Sequence, residues 1–381
     1  MKFQVNRDVF SEAVSFAVKL LPQRTTQPIL SGVLLHASEG GLTLSSFDYE
    51  VSSQTEIAAE VDEDGSALVS GRLLADIASR LPNAPVQFST VDGKILVSCG
   101  SAKFTLLSMP VEEYPTLPTV AERTGVLPAD DFATAVAQVA VAASRDDVTP
   151  VITGVQLEVA DNSLSLVATD RYRVAVRAID WDSGTTTAEG VTALVPARTL
   201  AEIGKTFGHS GTVSVSIVRG DDRELIAFSA DKKTVTSLLI KGNFPPVRRL
   251  FPETVDNYAV INTAELVEAT RRVALVLERE AALRFSFSID GLTLEAAGSE
   301  QAQASETIDA HLVGDDTVVS LKPSFLLDGL SAVHSEFVRI SFTKTENPNK
   351  PGPVLITSQS SKEQPGADNY KYLLQPNLLL R

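Results

Sequence analysis

The chain has 381 residues, a hydrophobic fraction of 44% and a formal net charge of −15. Its length points to two or three domains with cores of their own, and its charge argues against a surface that coats nucleic acid or acidic membrane. One cysteine, Cys99, excludes a disulfide framework and a multi-cysteine metal site. No apolar run is long enough to span a membrane, and the opening MKFQVNRDVF lacks a signal-peptide core. The histidines His36, His209, His311 and His334 lie far apart, none at metal-ligand spacing. The expectation is a cytoplasmic protein with no metal, cofactor or membrane partner.

In chain order, Phe10, Val14 and Val18 form one helical stripe with Ala13 and Ala17 beside it, which predicts a helix over 7–24. Alternating LTLSS reads as a strand. GRLLADIASR predicts a second helix over 71–80, and VQFSTVDGKILVSCGSAKFTLL predicts strands around an Asp-Gly hairpin turn. The next elements repeat the first. Phe10, Ala13, Val14, Gly32, Leu42, Leu44 and Asp48 recur 122 residues later as Phe132, Ala135, Val136, Gly154, Leu164, Leu166 and Asp170. Asp130 and Asp131 suit the first turn of a helix over 129–145, and 197–207 predicts the second helix of this copy.

A third copy follows. Its helices are predicted over 263–281 and 322–334, and Leu292 and Leu294 fall 128 after Leu164 and Leu166. Leu74, Leu200 and Leu326 sit at successive offsets of 126. The reading is therefore α+β: three similar domains, each with two helices packed on antiparallel sheets. Boundaries near LPTVAERTG and LFPETVDN place the domains at 1–122, 123–254 and 255–381.

Catalytic motifs are lacking. Gly204-Lys205-Thr206 resembles part of a phosphate-binding loop, but Thr199 stands where that loop needs its first glycine. Cys99 reads as a buried strand residue, Asp146-Asp147 as a solvated turn, and the lone Trp181 as a residue that packs or sits at a strand edge. Domain-sized repeats without a catalytic constellation suggest a scaffold whose geometry is its function. The predicted helices carry about +1 and the remainder about −16, with bases such as Lys19, Arg24, Arg80, Arg145, Lys205 and Arg279 late in the helices or beyond. Six helices of about 10 Å diameter around a ring would leave a hole of roughly 9 Å, whereas twelve would leave roughly 28 Å, wide enough for duplex DNA. Two chains joined head to tail supply twelve.

Over essentially its whole length the sequence resembles the bacterial DNA polymerase III β subunit family, the replicative sliding clamps, with an actinobacterial pattern. MKFQVNRDVF, QRTTQPILSGVLL, TDRYRVAV, KGNFPPVRRLFP and YLLQPN carry the resemblance. It implies a DNA-clamp fold and a ring-shaped head-to-tail homodimer around double-stranded DNA. The ring would tether the DNA polymerase III α subunit, the clamp loader and other proteins with a clamp-binding motif, with no catalytic site of its own. It further implies DNA contacts at Arg24 and Arg72, with Arg145 and Arg198 near others. A shallow peptide pocket is implied at Ile152, Thr169, Tyr172, Arg173, Val174, Pro245, Arg249, Leu250, Leu373, Leu374 and Pro376, and a dimer seam at Phe104, Leu106 and Leu275. The loop DDVTPV lacks the aromatic pair the family can carry after this helix. The tail departs too: Gln375, Pro376 and Asn377 stand where the family often has methionine, proline and an apolar residue. An altered pocket preference is the expectation, and with it an alternative: a second clamp copy tolerant of a clamp-binding antibiotic such as a cyclic peptide.

Overall fold

The computed structural model describes residues 1–381 apart from 23, 121–122, 184–189, 221–222, 298–301, 346–350, 367–368 and 379–381. The proposed boundary residue Glu122 and the tail residues 379–381 thus lie outside the described residues. Among the described residues there are six α-helices: α1 (Arg7–Lys19), α2 (Gly71–Ala78), α3 (Ala129–Ala140), α4 (Ala197–Phe207), α5 (Thr263–Val273) and α6 (Pro323–Ser331). They fall two to a repeat, as the periodicity requires.

The first helix of each repeat is shorter than the predicted ranges 7–24, 129–145 and 263–281. In α1, Asn6 Oδ1 accepts from the amides of Asp8 and Val9 and starts the helix. At its end the Leu21 amide reaches only three residues back to the Val18 carbonyl, and Pro22 prevents continuation. The Ala142 amide closes on the Val139 carbonyl after α3, and a single 3₁₀ turn, Ala274–Val276, follows α5. These tight turns satisfy carbonyls left open at a helix end. Arg24, Arg80, Arg145 and Arg279 therefore lie outside the helices. The six helices carry 0, 0, −2, +1, 0 and −1, a net −2 rather than +1, which leaves −13 elsewhere.

The chain forms two compact units. The first consists chiefly of Met1–Asp130 and Glu202–Leu239. Phe10, Ala13, Val14 and Ala17 of α1 and Leu74, Ile77 and Ala78 of α2 are buried in one core with Phe3, Phe88 and Val97, and the Phe3 and Phe88 rings stack at 4.7 Å. A five-stranded sheet ends on an edge strand, Ala102–Leu107. An eight-stranded antiparallel sheet joins two repeats: Val51–Ile57 of the first pairs with Lys233–Leu238 of the second, Lys233 opposite Thr55 and Ser237 opposite Val51. The buried Ser52 and Thr236 hydroxyls bond across that join at 2.5 Å.

The second unit consists chiefly of Asp131–Trp181 and Ile240–Arg381. Its nine-stranded sheet joins the second and third repeats where Arg173–Asp180 pairs with Tyr370–Leu374, Arg173 opposite Leu374 and Val174 opposite Leu373. A four-stranded sheet carries the rest of the third repeat. The repeats keep one register. Gly32–Val33 pairs with Ser70–Val69 in the first unit, and Gly154–Val155 pairs with Pro196–Val195 in the second.

Candidate functional site

Strand Ser163–Thr169 passes into Arg173–Asp180 through a turn set by two polar side chains. Asp170 Oδ1 accepts from the amides of Tyr172 and Arg173 at 3.0 and 3.1 Å. Thr169 Oγ1 accepts from the Arg171 amide and donates to the Arg173 carbonyl at 2.7 Å. Arg171 is held at φ +79°, a conformation non-glycine residues rarely adopt.

This turn delivers Arg173 into a buried cluster. Its Nε donates to Asp170 Oδ2 at 2.9 Å, and its Nη1 donates to Asp328 Oδ2 at 2.6 Å and to the Tyr372 hydroxyl at 3.1 Å. The guanidinium lies 4.3 Å from the Phe325 ring centre, and the Tyr372 hydroxyl donates to the Phe325 carbonyl at 2.7 Å. α6 supplies Phe325 and Asp328, and strand Tyr370–Leu374 supplies Tyr372. Burial works against the Arg173 charge, but Tyr372, Asp328 and Asp170 more than offset it and hold the guanidinium above its ordinary range. Burial pushes the Tyr372 phenol up, beyond what Arg173 takes back. The result is a permanently charged, rigid post.

Beside it opens a cavity of about 460 Å³. The expected residues Ile152, Thr169, Tyr172, Arg173, Val174, Pro245, Leu250, Leu373 and Gln375 line it. Its floor continues into the buried cluster of Val167, Val174, Val176, Val247 and Leu373. Tyr172 and Leu250 stand 63% and 52% exposed at the rim, so the site is an apolar trough with polar edges. A second, more polar cavity of about 560 Å³ shares Thr149, Ile152, Arg171, Tyr172 and Arg173 with the first.

Four expected residues do not line the trough. Leu374 is fully buried, because successive strand side chains point to opposite faces and Leu373 takes the open one. Pro376 is buried, Arg249 is exposed, and Asn377 turns away to bond Ser320 through its amide. Gln375 has partners for its amide groups: its backbone N–H donates to the Tyr172 carbonyl and its Nε2 to the Pro351 carbonyl. Lining residues not foreseen are Thr149, Val151, Arg171, Asn243, Val247 and Pro353.

The other expected residues stand as follows. Arg24, Arg72, Arg145 and Arg198 are exposed and, among the described residues, make no ion pair. Arg72 and Arg198 hold the same place in the first turns of α2 and α4, 126 residues apart. A cation there opposes the helix dipole, so dipole complementation does not explain the pair. On the edge strand Phe104 is 37% exposed, while Leu106 is buried because it faces the core; Leu275 is 83% exposed. Cys99 and Trp181 are buried. Asp146 caps a turn through the Val148 amide. Gly204–Thr206 lies within α4, with Lys205 paired to Glu202. No helix among the described residues is long and apolar enough to cross a membrane.

Three tandem copies of a two-helix unit, fused through shared antiparallel sheets, define a three-domain clamp fold, a class that works by binding rather than catalysis. Family models for the N-terminal, central and C-terminal domains of the DNA polymerase III beta subunit match residues 1–118, 126–246 and 248–362. The chain belongs to this family and is a DNA sliding clamp, a processivity factor rather than an enzyme. It is 46% identical over 377 residues to the beta sliding clamp of Streptomyces coelicolor and 38% identical over 377 residues to the beta sliding clamp homolog GriR of Streptomyces muensis, with 99% of each chain covered in both cases. A solved Pseudomonas aeruginosa sliding clamp bound to griselimycin superposes with a TM-score of 0.89 at 26% identity, covering 100% of both chains.

Proposed function

We propose that two copies of this chain close head to tail into a ring around double-stranded DNA in the cytoplasm. The ring tethers the DNA polymerase III α subunit and other proteins bearing a clamp-binding motif, and the clamp loader opens it. The observation that carries this reading is the apolar trough against the Arg173 post, which suits a short linear peptide with apolar anchors. The proposed domains are 1–122, 123–254 and 255–381. Arg24, Arg72, Arg145 and Arg198 would meet phosphates, and Phe104, Leu106 and Leu275 would form the seam. A helical net charge of −2 suits sliding, since a strongly basic lining would hold phosphates through counterion release. The test is topological: loaded clamp should remain on closed circular DNA and leave once the circle is linearised. Equal retention on both would overturn the reading.

A second reading rests on Gln375, which walls the trough where the family often has methionine, and on the likeness to GriR. It is a specialised clamp copy whose pocket tolerates a clamp-binding cyclic peptide. Titrating a polymerase-type linear peptide and griselimycin decides it. Affinities equal to those of a clamp with the common C-terminus would reject it.

A further inference from the structure

Asp170-Arg171-Tyr172-Arg173 and Asp48-Tyr49-Glu50-Val51 are one turn built twice, 122 residues apart. Asp48 Oδ1 accepts from the amides of Glu50 and Val51 as Asp170 Oδ1 does from Tyr172 and Arg173. The second residue is left-handed in both, at +74° and +79°. In the first unit that residue is Tyr49, which packs on Phe47 at 5.6 Å. In the second it is an arginine, placed where the two cavities meet, with Nη2 donating to the Thr149 hydroxyl.

The charges around this arginine are unbalanced. Arg173 is matched by Asp170 and Asp328, and Arg248 by Glu158. Asp146 is turned to the Val148 amide. Among the described residues neither Arg171 nor the nearby Arg249 has a carboxylate partner, and no carboxylate lines the apolar trough. An exposed guanidinium bonded only to a neutral hydroxyl retains donors for a planar, bidentate acceptor. The same turn could carry an uncharged side chain, as Tyr49 shows, so the arginine is not demanded by the backbone.

We propose that Arg171 is a specificity-determining residue of the trough: it selects linear peptides that carry an Asp or Glu side chain beside the apolar anchors, at the junction of the two cavities. This rests on the trough being a peptide site. The test uses two fluorescent, C-terminally amidated peptides with the same apolar anchors, one with Asp and one with Asn between them. Amidation removes the terminal carboxylate as an alternative partner. Both are titrated by anisotropy against the full chain and its Arg171→Gln and Arg171→Lys variants. The intact chain should prefer Asp by about 3- to 10-fold at about 50 mM salt, which is about 0.6–1.4 kcal/mol. That preference should shrink below about 2-fold at about 500 mM. The Asp/Asn ratio should fall to about 1 in Arg171→Gln and be partly kept in Arg171→Lys. An intact chain that does not discriminate, or a glutamine variant that still does, overturns the proposal and leaves the trough standing. If neither peptide binds any of the three proteins, the peptide-site reading falls and the specificity with it.

Discussion

The first and second repeats build the same corner and use it differently. In the first unit Pro110-Val111-Glu112-Glu113-Tyr114 forms a 3₁₀ turn, and in the second Pro246-Val247-Arg248-Arg249-Leu250 forms its counterpart. Each follows a strand-like bridge: the Met109 amide bonds the Leu68 carbonyl, and the Ile240 amide bonds that of Leu194, both at 2.8 Å. Tyr114 swings inward. Its hydroxyl accepts from the Phe47 amide at 2.7 Å, and its ring packs with Phe47, Leu68 and Met109. In the second unit Thr169 stands in place of Phe47, and Leu250, in place of Tyr114, stays at the rim. Two aromatic side chains are missing there, and five extra residues lie between the bridge and the turn. A solid satellite core in one copy becomes an open trough in the other. The flanking pair changes from Glu112-Glu113 to Arg248-Arg249, so the edge that remains exposed is also the basic one.

Several measurements can break or sharpen this contrast. Tyr114→Ala should have the largest effect, about 3–5 kcal/mol of stability lost by chemical denaturation, because it empties a filled corner and strands the Phe47 amide. Leu250→Ala, half exposed, should cost under about 1 kcal/mol. Similar losses at both positions would contradict the contrast. Arg173→Met should cost about 2–3 kcal/mol, since it leaves Asp170 nearly buried without its partner while the more exposed Asp328 is re-solvated. The first unit, with Val51 at that position, has no equivalent cluster to lose.

Smaller effects test the shared backbone. A Cβ on Gly154 would sit 2.8 Å from Ile240 Cδ1 and 2.9 Å from Leu194 Cδ1, and one on Gly32 would sit 2.7 Å from both Leu68 Cδ1 and the Met109 methyl. Gly154→Ala should cost about 1–2 kcal/mol and Gly32→Ala less, because the unbranched methionine tip can move aside. The smallest effect is at alkaline pH. Burial pushes the Tyr114 hydroxyl up to about 12, against a lowering by the Phe47 amide. A raised folded pKa means the unfolded chain ionises first, so this contribution is whole below pH 10 and is lost as pH rises toward about 12. Tyr114→Phe should decline less than the intact chain between pH 10 and 11.5 in urea-midpoint measurements.

Much of the fold was legible because it is written three times. Phe10 and Phe132, or Leu74, Leu200 and Leu326, recur at fixed offsets, and each is fully buried. Helix ends were less legible. The predicted helix over 7–24 runs past Lys19, but the turn at Leu21 is decided by carbonyl satisfaction and Pro22. The pocket residues, Tyr172 among them, were named through the family resemblance, since an apolar or aromatic residue taken alone reads equally well as core packing. The site was misread at Leu374, where only strand parity separates a lining residue from a core one. Val247 could have been found by aligning PVRRL with PVEEY. Thr149 and Pro353 carry no such signal, since they reach the trough from distant segments.

By itself the sequence determined the repeat, the two-helix α+β unit, the absence of catalytic motifs and the family, because burial periodicity and long matched segments are local properties of the chain. Tertiary structure alone decided which corner stays open. Thr169, Leu250 and Leu373 are unremarkable in isolation. They line a trough because antiparallel pairing of Arg173–Asp180 with Tyr370–Leu374 brings the second and third repeats into one sheet, and because Thr169 and Leu250 stand where the first repeat has the space-filling Phe47 and Tyr114.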